Sequence, residues 1–372
     1  MYTHICVNFT GNKVHSELIA GIARQTHRQV YVFVPCKSRS LFGRNDPQLP
    51  NVTVQYFYVP PFLRYFQLIK AAYSTVRILR LAKQHNINLK QSRIVAHTFW
   101  SDGALAYLLD KIYNCGFVAT IRSTDIHVFF KYGFHLRPIM RAIAAAAACI
   151  ISPNVAYIKH VSKLPWLNIP HDKLRFIPNP ISDWWLDSIA ARNSTHERDR
   201  LQLCFVGAFS RNKNIRAVIE ACALVRDRGF PIRLSCAGGN LLQLKRATGL
   251  LSIPSWVEVL GEIHDRPTLA NLYRRSQALI LPSYRETFGM VYLEALSQGC
   301  AIIFSKGQGV DGLFFEPYFQ YSVDPSDVHS IAAAILSAIN TEFSLAPEES
   351  ERLLRPFSID SILKNYAKLE TL

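Results

Sequence analysis

A chain of 372 residues with 49% hydrophobic and 19% charged side chains is a folded globular protein, which excludes a disordered, collagen-like or low-complexity chain. At roughly 150 residues per domain the length suggests two domains. The net charge is +15, and it is lopsided: residues 1–190 carry 22 Lys and Arg against 8 Asp and Glu, residues 191–372 carry 20 against 19. No acid stands between Val52 and Trp100. Such an asymmetry directs the first half toward an anionic surface or ligand.

Met1-Tyr2-Thr3-His4 leads directly into an apolar strand, with no secretory signal in view. No apolar stretch reaches the ~20 residues of a membrane span. The longest, Ala142–Ile151, is ten residues between Arg141 and Pro153. Cysteines at 6, 36, 115, 149, 204, 222, 236 and 300 form no C-x-x-C pair and mostly lie in apolar runs. They read as buried free thiols of a cytoplasmic protein, with no disulfide or zinc framework.

In chain order, strands are expected at His4–Asn8, Gln29–Val34, Val52–Tyr58, Ile94–His97, Phe117–Ile121 and Cys149–Ser152. Helices are expected between them at Lys13–Gln25, Phe62–Gln84, Ser101–Tyr113 and Phe134–Ala148. A second series follows. Its strands are Leu201–Val206, Ile232–Ala237, Val257–Leu260, Ala278–Leu281 and Ala301–Phe304. Its helices are Asn214–Asp227, Leu241–Leu251, Arg266–Arg275, Phe288–Gln298, Val328–Asn340 and Ile359–Leu369. Alternation of this kind implies α/β units, each a parallel sheet covered by helices. The boundary falls within Ser182–Arg200, where Pro178-Asn179-Pro180 closes the first series and the polar run Arg192–Arg200 precedes the next strand. The division is therefore 1–185 and 186–372. Ligands of open parallel sheets bind at the carboxyl ends of the strands, so two facing units place the site in a cleft between them.

The segment Leu281-Pro-Ser-Tyr-Arg-Glu286-Thr-Phe-Gly289-Met-Val-Tyr-Leu-Glu294-Ala-Leu-Ser-Gln-Gly299 carries the most chemistry. It follows a strand, and its helix is expected to begin near Thr287 and stop at Gly299. Glu294 then lies two turns beyond Glu286, ~10–12 Å away at 1.5 Å per residue. The amides of Thr287, Phe288 and Gly289 fall between the two carboxylates, and a helix N-terminus favours a phosphate. Carboxylate, phosphate cradle and second carboxylate match a sugar, a diphosphate and a nucleoside in turn. Two glutamates eight apart are common on solvated helices, but an acid inside the apolar run Val291–Leu296 asks for a partner.

This segment resembles the E-x(7)-E signature of group 1 glycosyltransferases, also called glycosyltransferase family 4. The resemblance implies the GT-B architecture: two facing Rossmann-like domains, an acceptor-side domain first and a nucleotide-sugar domain second, with the terminal helix crossing back to the first. It implies a retaining, metal-independent enzyme with a nucleotide-sugar donor, no cofactor and no metal ligands. Glu286 would contact the donor sugar and Glu294 the ribose hydroxyls. Gly207-Ala-Phe-Ser-Arg211-Asn-Lys213-Asn214 resembles the family's basic diphosphate loop. Lys213 matches its lysine. Ala208 stands where many members have arginine, and Arg211 is placed to supply that charge. Ala237-Gly238-Gly239-Asn240 resembles the turn beside the nucleotide, and Gly261-Glu262-Ile263-His264 occupies the base-binding position. Ser305-Lys306-Gly307-Gln308-Gly309 reads as a flexible loop near the site.

In the first half, Phe9-Thr10-Gly11-Asn12 resembles the family's glycine loop close to the donor phosphate. Arg122-Ser123-Thr124-Asp125 resembles a segment in which many members carry histidine at the Arg122 position. Arg122, Asp125 and His97 are the candidate substrate residues, with Asp125 equally readable as the acceptor of an Asx turn. Asn179 matches a proline–asparagine turn of interdomain character.

The activity so implied is transfer of a sugar to a hydroxyl of a glycan or lipid-linked acceptor, in bacterial cell-surface polysaccharide biosynthesis. Cationic groups would stabilise the departing nucleoside diphosphate. The other readings are a GT-B epimerase or phosphorylase, and a basic nucleic-acid-binding protein. The last lacks any helix-turn-helix, zinc-finger or aromatic RNA-binding pattern. Aromatic and basic residues alternate over Pro61–Lys83 without an acid, which suggests peripheral contact with an anionic membrane face.

Overall fold

The computed structural model describes residues 2–11, 13–190, 201–341 and 345–368. The chain divides into two units. The first holds residues up to Pro153, Tyr157–Pro180 and the chain from Ile359 onward; the second holds Asn154–Ala156 and Ile181–Ser358.

The first unit is built on seven strands: β1 (Tyr2–Ile5), β2 (Val30–Cys36), β3 (Val52–Tyr58), β4 (Arg93–Ala96), β5 (Phe117–Thr120), β6 (Cys149–Ser152) and β7 (Leu174–Phe176). Their order is β3-β2-β1-β4-β5-β6-β7, all parallel. The four residues of β1, β5 and β6 are buried throughout, as expected of strands covered on both faces. One core layer gathers Phe33, Phe117, Leu105 and Met140, the other Val30, Val32, Ile19 and Ile22.

The second unit has β8 (Leu201–Val206), β9 (Ile232–Ala237), β10 (Val257–Gly261), β11 (Ala278–Leu281), β12 (Ala301–Ser305) and β13 (Gln320–Val323), in the order β10-β9-β8-β11-β12-β13 and again all parallel. Each sheet reverses its order once, between β1 and β4 and between β8 and β11. There the two connections leave toward opposite sides and open a crevice at the carboxyl ends.

The first unit ends at Pro180, before the 185/186 division, because Ile181 and Trp185 bury in the second unit's core. The polar run 192–200 lies outside the described residues, as does the end of the terminal helix at Leu369. The helix Ile359–Ala367 returns to the first unit and lies against the helix Val14–Thr26. Contact is close at Gly21, where a Cβ would stand 2.6 Å from Ile359 Cγ1. Ile362, Leu363 and Tyr366 fill the core behind it.

The helix expected over Phe62–Gln84 is two pieces, a 3-10 turn Pro61–Tyr65 and a helix Gln67–Gln84. Phe66 breaks them with φ −119° and ψ 72°, and Leu63 alone of its turn is buried. Phe134–Ala148 likewise resolves into a 3-10 turn Phe134–Leu136 and a helix Arg137–Ala146 with Pro138 in its first turn, where proline is tolerated. All eight cysteines are free, and all but Cys115 are buried.

Candidate active site

At the second crevice, β8 and β11 lie side by side and each delivers a loop. The loop after β8 ends in the 3-10 turn Arg211–Lys213, where Ser210 Oγ accepts from the Lys213 amide at 3.3 Å. The loop after β11 carries Glu286. The Lys213 ammonium and the Glu286 carboxylate form an ion pair, with side chains 24% and 15% exposed. The loops are tied together besides: Asn212 Nδ2 donates to the Arg285 carbonyl at 3.0 Å, and the Tyr284 amide donates to the Asn212 carbonyl at 2.9 Å. Arg211 stands exposed on the same turn.

The helix beyond Glu286 is Met290–Ser297, so it starts three residues later than expected. Gly289 caps it at φ +77°, a left-handed conformation that interrupts any earlier helical turn. A Cβ there would also lie 2.4 Å from the Tyr292 ring. Thr287, Phe288 and Gly289 therefore belong to the loop, and the first-turn amides begin at Met290. Phe288 is buried. Glu294 sits in mid-helix, and the hydroxyl of the buried Tyr273 donates to its Oε2 at 3.3 Å. Burial, reinforced by the Glu294 charge, pushes the Tyr273 phenol well above its usual range, so it stays a donor.

Three anchors of this site went unread in the sequence. The Glu286 amide donates to Gln308 Oε1 at 3.0 Å, and the Gly309 amide donates to the Glu286 carbonyl at 2.9 Å. Asn154 Nδ2 donates to the carbonyls of Thr287 and Gly309, at 2.9 and 3.0 Å. The Ser305–Gly309 loop is thus tied along the Glu286 strap and does not hang free. Tyr273 and Gln308 lie in segments already noted for other reasons; Asn154, 133 positions before Thr287, had no local signal.

Gly207 and Gly238 follow β8 and β9. A Cβ on Gly238 would fall 2.2 Å from the Gly207 carbonyl oxygen, so only glycine permits these two loops to touch. Ile263 is half-buried past the end of β10 and packs on the core.

In the first unit, Gly11, His97, Arg122 and Asp125 also follow strands, but most are engaged internally. Gly11 closes a turn whose amide donates to the Asn8 carbonyl at 3.0 Å. Asp125 accepts from the amides of Phe99, Trp100 and Arg122 at 3.1, 2.9 and 2.9 Å, all preceding it in the chain, so its carboxylate ties the loop after β4 to the turn after β5. Burial still raises its carboxyl pKa to about 6. Arg122 is buried and donates to the His97 carbonyl and to Asn179 Oδ1, at 3.2 and 3.1 Å. His97 is buried; its Nε2 meets His4 Nδ1 at 3.0 Å, and its ring packs edgewise on His15 at 4.8 Å. Cys6, His15 and His97 bring ligand-type atoms within 4.8 Å of one another. Burial first, and the Arg122 charge in addition, hold both imidazoles neutral, and that guanidinium opposes a cation there.

The second sheet, with basic and acidic loops meeting at its switch point, is that of a Rossmann-like unit. The family model for glycosyl transferases group 1 matches residues 188–354. The second unit is thus similar to the group 1 glycosyltransferases over nearly all of its length, and the pair of Rossmann-like units has the GT-B fold of solved glycosyltransferases. An uncharacterized glycosyltransferase of Methanocaldococcus jannaschii is 28% identical over 174 residues, 44% of this chain and 44% of that protein. A D-inositol 3-phosphate glycosyltransferase of Corynebacterium urealyticum is 21% identical over 334 residues, 80% of this chain and 76% of that one. The chain therefore spans under half the length of the first relative and three quarters of the second. In fold, it resembles the Anabaena HepE protein solved in complex with UDP-glucose, with a TM-score of 0.69 and 15% identity over 100% of this chain and 99% of that one.

Proposed function

We propose that the chain is a retaining, metal-independent glycosyltransferase that moves a sugar from a nucleotide-sugar donor to a hydroxyl of a glycan or lipid-linked acceptor, in cell-surface polysaccharide biosynthesis. The observation that carries this reading is the Lys213–Glu286 pair at the switch point, on the same strap as the Tyr273-anchored Glu294. Lys213 and Arg211 would face the diphosphate, Glu286 the sugar and Glu294 the ribose. Gly207, Gly238 and Ile263 would contribute backbone around the nucleotide. The UDP-glucose bound to HepE supports a nucleotide-sugar donor. In the transition state the sugar carries oxocarbenium character and the leaving diphosphate gains charge, which a preorganised ammonium stabilises. The test is release of nucleoside diphosphate from a panel of nucleotide sugars. Release that survives EDTA supports the reading; no release from any donor, or strict dependence on an added divalent ion, overturns it.

The same reading places the protein at the inner membrane face. Among the described residues no helix is long and apolar enough to cross a membrane. Phe62, Tyr65, Phe66, Leu68 and Ile69 are each more than half exposed, with Arg64 among them and Arg80 exposed further along the helix Gln67–Gln84, an aromatic and basic surface suited to an anionic interface. Binding to anionic vesicles should exceed binding to neutral ones and fall with salt, since screening sets in within ~8 Å at physiological ionic strength. Phe62→Ser with Phe66→Ser should weaken it about tenfold or more, at ~1.5–3 kcal/mol per buried aromatic. Equal partition of the wild-type and the double variant in a sedimentation assay would refute this.

A further inference from the structure

The first unit contains a pocket of about 460 Å³ at the carboxyl ends of β1, β2 and β3. Its size falls in the ~300–1,000 Å³ range of small-molecule sites. Four cations line it, and no acid does. Lys37 follows β2 directly, Arg44 lies in the next loop, Arg64 is on the turn Pro61–Tyr65, and Lys70 is in the first turn of the helix Gln67–Gln84. Among the described residues none of the four is in an ion pair.

The wall that carries them is built. Asn45 Nδ2 donates to the Phe9 carbonyl at 2.8 Å, the Tyr56 hydroxyl donates to the Arg44 carbonyl at 2.9 Å, and Phe42 stacks on Tyr56 with ring centroids 5.8 Å apart. These contacts fix the loop of Arg44 against the turn after β1. The Arg64 guanidinium lies 4.6 Å from the Tyr65 ring centroid and donates to its hydroxyl. Lys70 is half-buried, and desolvation draws its ammonium pKa down against the pull of Asp102. Cations on an ordinary solvated face spread over convex surface. Four in one concavity repel one another, and a desolvated ammonium among them costs free energy that an anion recovers.

We propose that this pocket binds the phosphate or diphosphate ester of a phosphorylated acceptor, with Lys37, Arg44, Arg64 and Lys70 as its cationic wall. The word acceptor rests on the transferase reading above; the anion site does not. A neutral glycan would have no use for such a wall, whereas a lipid-linked diphosphate or a soluble sugar phosphate shares the required charge.

The test is calorimetric titration with inorganic pyrophosphate, farnesyl diphosphate in nonionic detergent, glucose 6-phosphate and neutral farnesol. The full chain would carry Arg211→Ala and Lys213→Ala, so that the basic turn of the second unit does not contribute. At least one phosphorylated probe should bind, more weakly at high salt. Lys37→Glu with Arg44→Glu, both exposed positions, should raise its Kd tenfold or more without lowering the melting temperature, while Arg44→Lys keeps binding. Farnesyl diphosphate bound in preference to glucose 6-phosphate identifies a lipid-linked acceptor, and the reverse a soluble one; either upholds the site. Failure of every phosphorylated probe to bind more tightly than farnesol, or an unchanged Kd in the charge-reversed protein, overturns it. UDP titrated into the unsubstituted chain separates the two readings: UDP binding without an anion site leaves the transferase standing, and the converse leaves the anion site.

Discussion

Lys213→Ala is expected to lower turnover about 10²-fold or more, some 2.7 kcal/mol of transition-state stabilisation at 1.36 kcal/mol per decade. Breaking an exposed ion pair would cost only ~0–1 kcal/mol of stability. This pair is only 24% and 15% exposed, so its loss also removes a largely shielded charge contact from Glu286. Two controls divide these effects. Lys213→Arg keeps the charge and should retain more activity than alanine. Glu286→Gln removes the other half of the pair and tests the sugar contact directly. Arg211→Ala should also reduce turnover if that exposed guanidinium replaces the charge absent at Ala208. Full activity in Arg211→Ala would place the second charge elsewhere. Full activity in a folded Lys213→Ala protein would remove the leaving-group role assigned to this turn.

Glu294→Ala should weaken nucleoside diphosphate binding by about 1.5–3 kcal/mol for each charge-assisted hydrogen bond to the ribose, so on the order of 10²–10⁴-fold if two are lost. Tyr273 already donates to Oε2 and orients the carboxylate. Tyr273→Phe should therefore produce a smaller loss of the same kind, because it removes the guide and leaves the acceptor. Calorimetry with UDP and GDP measures both. Unchanged affinity in a folded Glu294→Ala protein would reject the ribose assignment.

The strands β3, β6, β8, β9 and β11 were legible to the residue: β6 and β11 are apolar runs buried throughout, β8 and β9 are buried over most of their length, and β3 is only partly buried but rich in β-branched and aromatic residues. The last strands of the two sheets, β7 and β13, were not: Leu174–Phe176 and Gln320–Val323 are short, and only one residue in each is fully buried. Boundaries slipped where one backbone conformation decided them, as at Gly289 and Phe66. The charged residues of the second unit could be picked out because strand, loop and helix put them at a fixed offset from an apolar run, but that Lys213 and Glu286 pair with each other could not. In the first unit the same logic found polar residues after strands. It could not tell a side chain that waits for substrate from one that, like Asp125, already accepts three amides. That distinction depends on loops brought together from distant parts of the chain, which no local pattern records.

The close seat of Ile359 on Gly21 bears on the order of synthesis. A ribosome makes the chain from its first residue, yet Ile362, Leu363 and Tyr366 belong to the core around Val30 and Val32. The second unit has all of its strands before the last piece of the first emerges. The first unit, although started earlier, is completed later, and until then the apolar groove beside the helix Val14–Thr26 faces water. Domains made in sequence ordinarily fold in that sequence. Here the completion of one core waits on the emergence of the other.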